Sequence, residues 1–512
     1  MRRLINYLPA WIPAAFTLLL IVVWLRGNLY NYLPTNTGVY NDGVFYYREM
    51  NTFKTVGMNG GYYTLNEQPA AATYTHFYAH GPGFAVVYGT FAKFVSPLYP
   101  QTVIVFHLIG ISVGLMVFLY FAKLQGEGIL WFSAHAVTAW GLLFYLPSAM
   151  QEGMQMTIAC LLAGLAIPII RDRSESPLWV KIAFGFLAGA AALTRPSWAF
   201  LLLPYAILIQ PTRSWRQMSF AIVTAGLSIG GLTALYFYQA APWPLEYLQA
   251  SLEPNPVLRF IKSRLEMTIR NLAKIFEGDG VTLMVRWQTI SVIILSLLVL
   301  LREGQIRRRW QGRTIRIVRS TVFSVQEAFF HALNLGMIFV VVLTFYIFGS
   351  YGHDFRLFEP HRLMSILLLI AFKRWKIIAL LIAINIVVMP SFLESYYNAW
   401  HSQFLHNRPQ VRAFFDEVRD VFPYDSAASN AWCNTILIGI DVPTSGFVPE
   451  MLAFPFALGV SFYINPEDVV QPPKSQYLLL KDSELDTFSQ TRLTPLKETR
   501  IGTFYRNEDA GC

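Results

Sequence analysis

The chain has 512 residues, of which 54% are hydrophobic and only 14% charged, well below the roughly 25% charged residues of soluble globular domains. That balance excludes an ordinary soluble protein, and apolar runs of helical length, rather than alternating ten-residue strands, favour a helical bundle over a barrel. The net charge of +9 sits in short loops between apolar runs, a pattern of membrane topology and not of nucleic-acid binding, and three cysteines are too few for a disulfide scaffold or a Cys-based zinc site.

In chain order, residues 8 to 25 (LPAWIPAAFTLLLIVVWL) carry no charge and can cross a hydrocarbon core of about 30 Å. The run is too long, and lacks the small-residue cleavage site, for a removable signal peptide, so it is expected to stay as an anchor. Beyond it comes Asn41 to Met50, NDGVFYYREM. Asp42 there reads either as an Asp-Gly turn or helix N-cap, or as a base able to take a proton from an attacking hydroxyl. His76 and His80 are spaced i, i+4 and could share a divalent metal with a carboxylate. No Glu lies between them and Gly81-Pro82 would end a helix, so a structural or substrate-bonding role is expected instead.

Further apolar runs fall near 101 to 122, 129 to 146, 150 to 170, 178 to 194, 197 to 210, 217 to 240, 284 to 301, 322 to 348, 363 to 372 and 376 to 390. The segment 83 to 95 is ambiguous, because thirteen residues rise only about 20 Å as a helix and Lys93 interrupts it. If it does not cross, Arg2/Arg3, Lys123, Arg171/Arg173/Lys181, Arg213/Arg216, Arg302 to Arg319 and Lys373/Arg374/Lys376 all share one side. The positive-inside rule therefore selects about eleven crossings and a cytoplasmic N-terminus. The basic stretch 302 to 319 reads as a cytoplasmic loop against anionic lipid.

This topology leaves two large outer loops, 27 to 100 and 241 to 283, and puts the chemically able residues outside. Glu152, in PSAMQEG, stands at the outer end of a span, where an ionisable group faces a cavity or a partner, or is a helix-start Glu favoured by the dipole. Arg195, Arg356 and Arg362 stand at span ends on the same side. They suit a headgroup-level phosphate, or simple interfacial snorkelling. His353, Asp354 and His361 are expected as gate or substrate residues. After Pro390 the composition turns ordinary, so 391 to 512 is expected to be an outer α/β domain behind a transmembrane region 1 to 390. Its helix should cover 408 to 422, with Val411, Phe414, Phe415, Val418 and Phe422 on one face. Strands should follow at 435 to 440, 460 to 464, 477 to 480 and 501 to 505. In an oxidising compartment Cys433 and Cys512 could pair.

Three motifs resemble the GT-C superfamily of membrane glycosyltransferases, in particular its protein O-mannosyltransferase and aminoarabinose-transferase-like branch. They are Asp42-Gly43 with Tyr46 and the later His80-Gly81-Pro82, the Ala-rich span closing in Thr194-Arg195-Pro196, and Arg356 with Pro360 in DFRLFEPHR. The resemblance covers roughly residues 8 to 372 and implies a GT-C-like bundle in which Asp42 is the base. It also implies a second acid at Glu152, usually Asp in those enzymes, and a polyprenyl-phosphate sugar as donor. The acceptor would be a glycan, lipid or protein, and the sugar configuration would invert, in a plasma (inner) membrane with the site on the extracytoplasmic face. Membrane lipids are the other expected partner, no cofactor is certain, and a divalent metal ion stays open. A transporter or flippase for lipid-linked glycans is the first competing class, and it would need midspan charges or broken helices in paired halves, whereas here the charges collect at one surface. A glycan polymerase or ligase is the second, and its largest outer loop would come late in the chain.

Overall fold

The computed structural model describes residues 6–24, 41–59, 63–68, 71–72, 77, 80–95, 102–172, 175–210, 214–241, 256–278, 280–309, 324–345, 353–396, 413–414, 416–418, 421–422, 425, 430–439, 441, 454–463 and 471–512; at a few of these positions, Asp42, His353 and Asp354 among them, it describes the backbone alone. The helices are α1 (Ile12–Leu19), α2 (Asn41–Val56), α3 (Gly83–Val95), α4 (Thr102–Ala122), α5 (Glu127–Thr138), α6 (Trp140–Tyr145), α7 (Glu152–Arg171) and α8 (Leu178–Ala192). They continue with α9 (Leu202–Leu208), α10 (Trp215–Gln239), α11 (Pro256–Ala273), α12 (Gly280–Arg309), α13 (Val325–Phe345), α14 (His353–Ala371), α15 (Trp375–Val387) and α16 (Met389–Tyr396). A 3-10 helix, Pro196–Leu201, joins α8 to α9.

Among the described residues five helices are long and apolar enough to cross a membrane: α4, α7, α10, α12 over Gly280–Arg302, and α13. These coincide with five of the apolar runs. The others are shorter. The run 129 to 146 is parted at Ala139, which leaves helical backbone (φ −80°, ψ 66°), and Gly141, the second residue of α6, is pressed against the Glu359 carboxylate, where a Cβ would have no room. The apolar run 363 to 372 is only the second half of α14. Length and composition thus support five crossings, and the larger figure of about eleven rests on charge distribution.

α7 is buried along nearly its whole length and forms the axis of the bundle. It runs parallel to α4, because Gly110 faces Thr157, Gly114 faces Cys160 and Phe118 faces Gly164 in step. Cβ atoms on Gly110 and Gly114 would lie 2.9 Å from Thr157 Oγ1 and Cys160 Cβ. The two backbones come this close because the facing residues are small, the packing device of apolar surroundings, where hydrophobic exclusion between helices is lost. At the Arg171 end of α7 the basic residues gather. Arg171 stacks 6.0 Å from the Phe372 ring, Lys123 and Lys373 line one small cavity with Trp375, and Arg374 makes paired bonds of 2.9 and 2.5 Å to Glu327. Helix α3 keeps to the opposite end: Gly83 abuts Leu193 and Thr194, the Tyr88 hydroxyl bonds His107 Nε2 at 2.5 Å, and Phe91 packs on Phe106.

The C-terminal segment forms a sheet of β1 (Tyr63–Leu65), β2 (Thr435–Ile438), β3 (Gly459–Phe462), β4 (Tyr477–Leu480), β5 (Leu493–Thr499) and β6 (Gly502–Asn507) in the order β1-β3-β2-β4-β6-β5. β1 to β4 are mutually parallel, and β6 and β5 add antiparallel. The central strands TILI, GVSF and YLLL are buried at every position, as parallel strands covered on both faces must be. Phe414, Val418 and Phe422 of the expected helix are buried in the core on one face, while Val411 and Phe415 lie outside the described residues. Leu437, Leu478, Leu480 and Phe488 form the core of the other. β1 is the unexpected member, since it comes from the segment between α2 and α3. Cys433 and Cys512 form a disulfide that ties the last residue to the start of β2.

Replacing Gly114 with Leu should overpack the α4–α7 contact and cost about 1–3 kcal/mol. The expected result is a lower melting temperature in detergent, with the same substitution at Gly226, which faces open space, nearly neutral.

Candidate functional site

Glu152 opens α7 at the end away from the basic residues and is fully buried. Its Oε1 accepts a 2.6 Å bond from Arg195 Nη2, and its Oε2 has no hydrogen-bond partner among the described residues. Local sequence directs Arg195 there. The Thr194 hydroxyl donates to Ala191 O at 2.7 Å and the Arg195 N–H donates to the same carbonyl, which closes α8. Pro196, lacking an N–H, then opens the 3-10 helix. Arg195 between them is extended (φ −154°, ψ 114°), so its side chain leaves both helices and reaches α7. Nη1 also donates to the Arg356 carbonyl at 3.3 Å, joining α14 to the pair. A charge so buried is strongly disfavoured unless paired, and removing either partner would cost on the order of 3–5 kcal/mol.

A polar ladder runs from this pair to α2. Gln151 Nε2 donates to the Tyr46 hydroxyl at 2.6 Å. Gln155 Nε2 donates to Gln151 Oε1 and Thr194 Oγ1 at 3.3 and 3.2 Å, and Gln155 Oε1 accepts from Trp198 Nε1 at 2.5 Å. The Tyr46 ring lies 5.2 Å from that of His80 and 4.7 Å from that of Phe84. Asp42 is one helical turn before Tyr46 on the same face of α2; its side chain lies outside the described residues, as do His76 and the side chains of His353 and Asp354. Tyr46, His80, Glu152, Arg195 and the Arg356 backbone are therefore brought together from five separate segments.

His361 and Arg362 are used differently from the expectation. His361 Nδ1 bonds Asn334 Oδ1 at 2.8 Å and Nε2 bonds Ser197 Oγ at 3.0 Å. Since Asn334 Oδ1 can only accept, Nδ1 carries the proton and Nε2 accepts from the serine. Both nitrogens are thus occupied in joining α13, α14 and the 3-10 helix, while the ring stacks on Trp198 at 4.5 Å. Arg362 makes two 2.7 Å bonds to Glu359 and one to Gln288 Oε1, all within the bundle. Three of its guanidinium N–H groups are thus engaged inside the bundle.

The sheet holds α2 in place. Arg48, one half-turn past Tyr46, is buried and donates to the carbonyls of Phe454, Pro455 and Leu458 at 2.8, 2.7 and 2.7 Å. Thr52 Oγ1 donates to Phe456 O at 2.5 Å, and Phe45 stacks on Phe462. Behind β1, Glu67 accepts from the N–H groups of Lys474 and Ser475 at 2.7 and 2.8 Å. Burial pushes its carboxyl above the usual carboxylate range, and these donors pull it back.

Sequence reasoning missed Gln151, Gln155, Arg48, Glu67 and Gln288. The two glutamines had a visible signal, i, i+4 spacing beside Glu152 in an otherwise apolar run. The others pair with residues tens to hundreds of positions away and had none. Among the described residues no three His, Cys, Asp or Glu side chains converge as a metal-binding group. No protein family, no curated protein and no solved structure matches the chain, so the site is argued from its own geometry.

Arg48→Lys keeps the charge but cannot span three carbonyls, and each lost charged hydrogen bond is worth about 1.5–3 kcal/mol. Amide hydrogen exchange across 45–56 and 454–462 should accelerate together, with α4 and α7 unchanged. Unaltered exchange in 45–56 would show that the clamp does not hold α2.

Proposed function

We propose that the protein is a GT-C-type membrane glycosyltransferase that moves a sugar from a polyprenyl-phosphate donor to an acceptor hydroxyl or amine on the extracytoplasmic face. The observation that carries this reading is the meeting of α2, the start of α7, the Thr194-Arg195-Pro196 turn and α14 at one end of the bundle. Those are the segments whose motifs resemble the superfamily. The gathering of Lys123, Arg171, Lys373 and Arg374 at the opposite end supports an extracytoplasmic site and about eleven crossings, with α3 lying across the outer surface. A disulfide in the sheet domain fits an oxidising compartment.

In this mechanism the acceptor oxygen attacks the anomeric carbon from the face opposite the phosphate. The new C–O bond forms as the sugar–phosphate bond breaks, and its electron pair leaves on the polyprenyl phosphate with inversion at carbon. Asp42 takes the acceptor proton. Arg195 uses two of its five guanidinium N–H groups on Glu152 and the Arg356 carbonyl, which leaves donors for the charge growing on the leaving phosphate. The Oε2 of Glu152, buried and without a hydrogen-bond partner among the described residues, is the acceptor for a substrate hydroxyl, and Tyr46 and His80 line the approach.

A transporter or flippase is the second reading, and one observation favours it: the Glu359–Arg362 pair with Gln288 and Asn385 is buried inside the bundle, where ionisable groups often mark a pathway.

With purified protein and a radiolabelled polyprenyl-phosphate sugar, Asp42→Asn should lower turnover by roughly 10²–10⁴-fold while donor binding persists. Arg195→Ala should weaken donor binding and also destabilise the fold. Adding Glu152→Gln to it should restore the melting temperature but not donor binding. Full transfer by Asp42→Asn would remove the catalytic assignment, and donor movement across vesicles without transfer would favour the transporter.

A further inference from the structure

α11 lies in the second outer loop, and its surface divides into three stripes. At about 100° per residue, Leu258, Ile261, Leu265, Ile269 and Leu272 form one apolar stripe, 49–69% exposed, which Phe276 prolongs in the turn after the helix with its ring 5.1 Å from that of Trp287. About 120° round the helix, Phe260, Arg264 and Asn271 face the end of α13. Asn271 Nδ2 donates to Leu343 O at 2.7 Å and Arg264 Nη1 to Thr344 O at 3.4 Å. These carbonyls belong to the last turn of α13, where the helix leaves its final C=O groups without intrahelical donors. The third stripe, a further 120° round, carries Lys262, Glu266 and Arg270, continued by Lys274 and Glu277 just past the helix end; Lys262 lies 3.9 Å from Glu266 and Lys274 3.8 Å from Glu277, which leaves one basic residue in excess.

The anchoring fixes the height of α11. It caps the end of a helix long and apolar enough to span a membrane, so it lies at the level where hydrocarbon gives way to headgroups. An apolar stripe turned away from the protein at that level, with an excess of Lys and Arg on the neighbouring stripe, is the surface of a helix lying in the interface plane. We infer that α11 is a membrane-surface helix whose apolar stripe enters the acyl chains of the leaflet at that end, and whose Lys262, Arg270 and Lys274 meet anionic lipid headgroups. The inference needs α13 to cross a bilayer and is independent of glycosyl transfer.

The test uses the full chain in nanodiscs, with Cys160→Ser and the Cys433–Cys512 disulfide kept, and one nitroxide at a time through Leu265→Cys, Ile269→Cys or Glu266→Cys. Labels at 265 and 269 should collide with oxygen several-fold more than with a water-soluble nickel complex, and the label at 266 should show the reverse. A fluorophore at 266 should be quenched at least twofold more by headgroup-labelled phosphatidylglycerol than by the phosphatidylcholine analogue. Lys262→Gln/Arg270→Gln/Lys274→Gln should abolish that preference while leaving the immersion of 265. Nickel access exceeding oxygen access at 265 and 269 would overturn the inference. So would dipolar coupling between labels on two chains, which would mean that a second copy covers the stripe. Equal quenching by the two lipids would overturn the anionic assignment.

Discussion

The buried pair of Glu152 and Arg195 is the contact on which the proposed site depends. It fastens the first residue of the axial helix α7 to the turn that separates α8 from the next helix, and through the Arg356 carbonyl it reaches α14. Such a pair is not an efficient way to stabilise a fold, because desolvating two charges offsets most of their attraction. The bundle holds a second buried pair, Arg362 with Glu359, but Glu152 differs in keeping one buried carboxylate oxygen without a hydrogen-bond partner among the described residues, beside a guanidinium with donors remaining.

The second constraint is mechanical. α2, which carries Asp42 and Tyr46, is held on one side by Gln151 and on the other by three backbone carbonyls around Arg48. The bundle alone does not supply those carbonyls; they belong to the turn leading into β3. The sheet in turn borrows β1 from the loop that follows α2, and Glu67 pins that strand to the loop before β4. Helical bundle and sheet are therefore interlocked through the segment between α2 and α3, and a proposed catalytic helix lies at the junction. This gives the C-terminal domain a positioning part in the site beyond the stabilising or docking part its composition suggests.

Composition and periodicity decided the class of architecture, because burying apolar runs of helical length in a bilayer leaves the backbone no option but helices. They also gave the core strands β2, β3 and β4, whose apolar runs are short and continuous. β5 and β1 escaped notice because an exposed edge strand and a three-residue strand carry no hydrophobic signal of their own. Charge spacing brought out Glu152, Arg195 and Arg356 as members of one surface, since ionisable residues at the ends of apolar spans are few and costly to place. What that reasoning could not decide is what each group does there. Arg362 and Arg195 look alike in sequence, each beside an apolar run on the same side, yet one closes on Glu359 three residues earlier in its own helix and the other crosses to α7. The difference is made by Pro196 and the end of α8, which leave Arg195 in extended backbone, whereas Arg362 stays within α14 and one turn from a carboxylate. Sequence alone determined which residues could ionise at the boundary of the apolar spans; only the packing of the helices decided which carboxylate each arginine meets.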